Sequence, residues 1–168
     1  LEMYAEWLRE QGVPEERIVR VNLEDLDFEP LCQPTALHSY VKERLAKGKM
    51  TYVFIDEIQL CGDFPRVVDS LYLRPDIDIY VTGSNANLLS HEIATMLSGR
   101  YVEIRVLPLS FREYANARPG IAEPQRLYRE YTEGSSFPYA IELSNAGSEL
   151  DTYLDGLYNT ILVKDVMT

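Results

Sequence analysis

A run of apolar and β-branched residues, Tyr52-Val53-Phe54-Ile55, stops abruptly at two adjacent carboxylates, Asp56 and Glu57, and this constrains the chain more than any other feature. The run is apolar on both faces and shows no alternation, so it reads as a fully buried strand of a parallel α/β sheet. Two acids at the carboxyl end of such a strand sit at the mouth of the sheet, where open α/β folds bind ligands. Asp56 is then placed to hold Mg²⁺, directly or through water, and Glu57 to polarise a water for attack on a phosphate. That is a Walker B arrangement, and it predicts nucleotide hydrolysis. Acidic pairs also end buried strands merely by capping the next turn, so the motif gains weight only from its neighbours in the chain.

About twenty residues on, Ile77-Asp78-Ile79-Tyr80-Val81 is a second β-rich run, closed by Thr82-Gly83-Ser84-Asn85. Between the two, Phe64, Val67, Val68 and Leu71 recur at helical spacing. Strand, helix, strand is a parallel crossover, so both strands present their carboxyl ends on one edge. Thr82, Ser84 and Asn85 then lie beside Asp56 and Glu57, where a hydroxyl or amide can bond the attacking water or the terminal phosphate. Taken alone, Thr-Gly-Ser-Asn is a plain turn of turn-forming residues; the neighbouring acids favour the site reading.

Five segments appear in order: Phe54 to Gln59, Thr82 to Ser90, Leu97 to Tyr114, and the later Gly134-Ser135-Ser136-Phe137-Pro138 and Tyr158 to Val166. With these motifs the chain resembles the prokaryotic AAA+ ATPases whose carboxyl half often carries a nuclease-like domain. The resemblance implies a three-layer P-loop NTPase-like parallel sheet over residues 1–117, followed by a small helical lid region over 118–168. It also implies ATP and Mg²⁺ as cofactors, with Asp56 the metal-coordinating acid and Glu57 the hydrolytic base. Ser84 or Asn85 falls at the sensor position. Arg100, just before a further strand expected over Arg100 to Leu107, becomes a candidate for reaching a nucleotide in a neighbouring subunit, which would require self-association through the core.

One departure stands out. No Gly-x-x-x-x-Gly-Lys-Ser/Thr loop, whose amides and lysine cradle phosphates, occurs in the sequence. In the family that loop immediately precedes the helix that Glu2 to Gln11 resembles, and the strand before the loop lies between Ile77–Val81 and Arg100–Leu107. The expectation is a chain truncated at both ends. A nucleotide-free scaffold or protein-interaction module derived from the same fold is the alternative reading. A metal-dependent nuclease using Asp56 and Glu57 is a third, weakened because no further acid and lysine stand at a convincing spacing.

Composition narrows the classes. One hundred and sixty-eight residues at 46% hydrophobic content can bury a core, and a net charge of −11 with no basic run argues against gripping a nucleic-acid backbone. No apolar run reaches the roughly eighteen residues of a membrane span, and no secretory pattern is visible, so the expectation is a cytoplasmic protein. Cys32, Cys61, His38 and His91 lack metal-ligand spacing and read as ordinary packing or surface residues. Elsewhere, Arg17 to Leu23 alternates as a strand near the sheet edge. Thr35 to Lys47 has Leu37, Tyr40, Val41 and Leu45 on one helical face. Ser110 and Glu113 form a capping box. Ala86 to Met96, Gln125 to Glu133 and the tail from Glu149 are expected helices.

Overall fold

The computed structural model describes residues 1–83, 100–118, 123–146 and 150–161. They divide into two compact units, Leu1–Val102 and Glu103–Thr168.

The first unit is a parallel α/β sheet. In chain order it contains helix α1 (Glu2–Glu10), strand β1 (Ile18–Asn22), helix α2 (Pro34–Arg44), strand β2 (Thr51–Asp56), helix α3 (Phe64–Tyr72) and strand β3 (Ile77–Val81). The sheet order is β1-β2-β3, with both pairings parallel. The register sets Val19 against Val53 and Val21 against Ile55, and Val53 against Ile79. Because side chains alternate across a strand, odd-numbered β1, β2 and β3 residues share one face. Val19, Val21, Val53 and Ile55 there join Leu37 and Val41 of α2 and Phe64, Val67, Val68 and Leu71 of α3 in the main core. The opposite face carries Ile18, Phe54, Tyr52 and Tyr80, against Ala5 and Leu8 of α1. Helices therefore cover the sheet on both sides, and this is why β2 needs no polar face: Val53, Phe54 and Ile55 are all buried.

Local chemistry sets the element ends. In α3 the buried positions Phe64, Val67, Val68 and Leu71 follow the helical repeat, and Pro65 occupies the first turn, where its missing N–H costs nothing. Gly48, at φ +66°, turns the chain after α2 in a conformation that a side chain would strain. Thr51, fully buried at the start of β2, accepts from the Ala46 amide at 3.0 Å. On the α1 face Arg20 reaches Glu2 at 2.9 Å and Glu15 at 3.6 Å. These pairs are exposed and contribute at most about 1 kcal/mol each.

The expected strand over Arg100 to Leu107 does not form. The segment is irregular, and Val102, Ile104, Val106 and Leu107 are 87%, 78%, 90% and 78% exposed. Alternation supplies a strand's faces, whereas its ladder bonds come from a neighbour. Among the described residues, no strand pairs with this segment or with the outer edge of β3.

The second unit is helical: α4 (Phe111–Asn116), α5 (Pro124–Glu133), α6 (Pro138–Ala146) and α7 (Leu150–Ile161). Its core is Tyr114, Leu127 and Ile141, with Leu109, Phe111 and Tyr131 packed around them. The capping box forms as the sequence predicts: Ser110 Oγ accepts from the Glu113 amide, and the Glu113 carboxylate accepts from the Ser110 amide at 2.8 Å. The Arg118 guanidinium lies 5.0 Å from the Tyr114 ring and 3.2 Å from the Glu130 carboxylate. Helix α6 has no counterpart among the sequence expectations, and Ala86 to Met96 lies outside the described residues.

Candidate active site at the carboxyl edge of the sheet

Parallel pairing brings the ends of β2 and β3 to one edge. The ladder registers Ile55 with Val81, so the next residues, Asp56 and Thr82, stand side by side. The Thr82 hydroxyl donates to Asp56 Oδ1 and accepts from the Glu57 amide at 3.3 Å. Its backbone works in the same place: the Thr82 amide donates to the Ile55 carbonyl at 3.0 Å, and its carbonyl accepts from the Ile58 amide at 2.9 Å. One threonine thus fixes four consecutive residues, Ile55 to Ile58.

The chain turns sharply at Glu57, whose backbone is left-handed at φ 52°, ψ 48°. A non-glycine residue there is strained by about 1–2 kcal/mol. The turn continues into one turn of 3₁₀ helix, Ile58–Leu60, anchored by the fully buried Ile58. The Gln59 side-chain amide donates to Glu57 Oε2. A carboxylate can only accept, so the amide nitrogen is the end that faces it. Asp56 and Glu57 are both partly exposed and open to solvent at this edge.

On the other side of β2, Asn22 is registered with Asp56, and the Leu23 amide donates to the Asp56 carbonyl at 3.2 Å. Asp56 also lines an open cleft of about 1060 Å³ together with Arg20, Asn22, Phe28, Tyr40 and Arg44. Among the described residues, no three His, Cys, Asp or Glu side chains converge as a metal cage. A single carboxylate beside a hydroxyl suits Mg²⁺, which binds through one or two carboxylates and keeps water and phosphate oxygens for its remaining positions.

The expected site residues meet different fates. Asp56 and Glu57 stand together at the strand end. Ser84 and Asn85 lie outside the described residues. Arg100 sits against α3, 3.7 Å from Asp69 and 5.9 Å from the Tyr72 ring. His38 bonds Ser70 across α2 and α3 at 3.2 Å. Thr82 stands beside Asp56 and Glu57 as the sequence analysis expects, whereas the Gln59 contact has no counterpart there. An amide two residues after the acid is the signal that would have found it.

Comparison with known proteins gives the family. A protein of Haemophilus influenzae described as uncharacterized is 34% identical over 170 residues, covering 99% of this chain and 42% of its own length. An uncharacterized protein of Methanocaldococcus jannaschii is 29% identical over 157 residues, covering 86% of this chain and 33% of its own. The chain therefore spans less than half the length of these relatives. The family model described as "AAA domain" matches residues 2–115, which include the whole parallel sheet and the acidic strand end; the chain belongs to the AAA domain family.

Proposed function

We infer that the full-length protein binds ATP and hydrolyses it with Mg²⁺, and that these residues carry the hydrolytic half of its site. The observation that carries this reading is the Asp56-Glu57 pair at the end of a buried central strand, bonded to Thr82 on the next strand. Family membership supports nucleotide chemistry at that edge.

In this reading Asp56 faces the metal ion that arrives with the nucleotide, and that ion supplies neutralisation of charge on the phosphates. Glu57 accepts a hydrogen bond from the attacking water and aligns it with the terminal phosphorus. Thr82 holds the Asp56 carboxylate and the Glu57 backbone, which limits reorganisation at the strand end during the reaction. Ser84 or Asn85 senses the terminal phosphate, and Arg100 serves a nucleotide of a neighbouring subunit in a self-associated form. No Gly-x-x-x-x-Gly-Lys-Ser/Thr loop occurs in these 168 residues, so the reading concerns the hydrolytic half of the site alone. Residues 118–168 act as the lid, and the protein works in the cytoplasm.

The test is Glu57→Gln in the full-length protein, which should bind ATP with unchanged affinity and lose turnover by about 10²-fold or more. Turnover at the parent rate would remove Glu57 from its role. If the parent protein binds no ATP at all, the fold serves instead as a nucleotide-free interaction module.

A further inference from the structure

We propose that Gln59 is a positioning residue that orients the Glu57 carboxylate toward the attacking water. The proposal rests on the ATPase reading above and adds a role that the family match does not assign.

Thr82 and the left-handed turn fix the Glu57 backbone, but three side-chain torsions still separate that backbone from its carboxylate. An unrestrained glutamate spreads over several rotamers, only some of which aim an oxygen at a given point. Gln59 removes that spread by donating from Nε2 to Glu57 Oε2.

Its own position is built in. The 3₁₀ turn that carries it is closed by the Leu60 amide on the Glu57 carbonyl and the Cys61 amide on the Ile58 carbonyl, each at 3.0 Å. Ile58 and Cys61, on either side of the turn, are buried in the main core. The donor is therefore attached to rigid structure rather than to a free loop.

The chemistry of the donor matters as well. An amide engages one carboxylate oxygen and leaves Oε1 able to accept from water. It brings no charge of its own. A lysine or arginine in its place would hold the carboxylate more tightly and offset the negative charge that polarises the water. A neutral donor orients the base without neutralising it.

The experiment compares ATP turnover, ATP affinity and thermal midpoint for the full-length parent protein, Glu57→Gln and Gln59→Met. Methionine keeps the length and packing of the side chain and removes the donor. The expected result is a parent that turns over, a Glu57→Gln variant that does not, and a Gln59→Met variant slowed roughly ten- to hundredfold at unchanged Kd, with a midpoint still well above the assay temperature. A Gln59→Met rate within about twofold of the parent overturns the tether and leaves Glu57 in place. A parent without turnover, or a fully active Glu57→Gln, overturns the ATPase reading and the tether with it. Should Gln59→Met fail to fold, the Gln59 side-chain amide protons report instead. Their NMR shifts are expected to move in Glu57→Ala, and identical shifts in the two proteins overturn the proposal.

Discussion

Replacing Thr82 by valine keeps the shape and β-branching of the side chain and deletes its hydroxyl. Two bonds go: the donation to the Asp56 carboxylate and the acceptance from the Glu57 amide. A hydrogen bond to a charged group contributes about 1.5–3 kcal/mol and a neutral one about 0.5–1.5. Thr82 is half-buried, so water replaces part of what is lost. The expected destabilisation is then about 2 kcal/mol, a large share of the roughly 5–15 kcal/mol that holds a typical domain. Trp7, the sole tryptophan, lies in α1 of the sheet unit, so its fluorescence during urea unfolding reports that unit. With a urea slope of roughly 1–1.5 kcal/mol per molar, the midpoint should fall by about 1.5 M at constant slope. Thr82→Ser retains both bonds and loses one half-buried methyl, which costs less than about 0.8 kcal/mol. Equal losses in the two variants, or a valine loss under about 0.5 kcal/mol, would refute the assignment of stability to the hydroxyl.

Two further outcomes concern titrating groups. Cys61 is 1% exposed, and burial pushes its thiol up to about 11, with Cys32 and Asp63 adding to the shift. At about pH 8 a thiol reagent should modify the half-buried Cys32 promptly and Cys61 only on unfolding, with peptide mass spectrometry as the readout; equal rates would contradict this. Glu113 is held below its ordinary value of 4.5 by the Ser110 hydroxyl and then by the Ser110 amide. Its contribution to α4 is therefore complete above pH 4.5 and fades as pH falls through the lowered folded value. An NMR titration of Glu113 should place its midpoint below 4.5, and Ser110→Ala should move it back up.

Much of the sheet unit was legible because its signals are local. The β2 run, the α3 repeat and the β3 run each lie within about ten residues, and parallel crossover geometry then brings Asp56 and Thr82 to one edge. The capping box at Ser110 was legible for the same reason. Arg100 to Leu107 was not, because its alternation satisfies the pattern of a strand while pairing depends on a neighbour far away in the chain. The left-handed backbone at Glu57 was hidden too, since glutamate is not a residue that signals positive φ. The crossover alone places Thr82 beside the acids, but the bonds its hydroxyl and backbone make to Asp56, Ile55 and Ile58 depend on register, which is a property of the pair of strands.

The turn at Glu57 carries an evolutionary consequence. On backbone grounds alone, glycine or asparagine would occupy φ 52° with less strain. A library of this position sorted only for thermal survival should drift toward those two residues. One sorted for work done by the parent protein should return to glutamate. The divergence of the two populations would measure how much stability the lineage has given up to keep a carboxylate there.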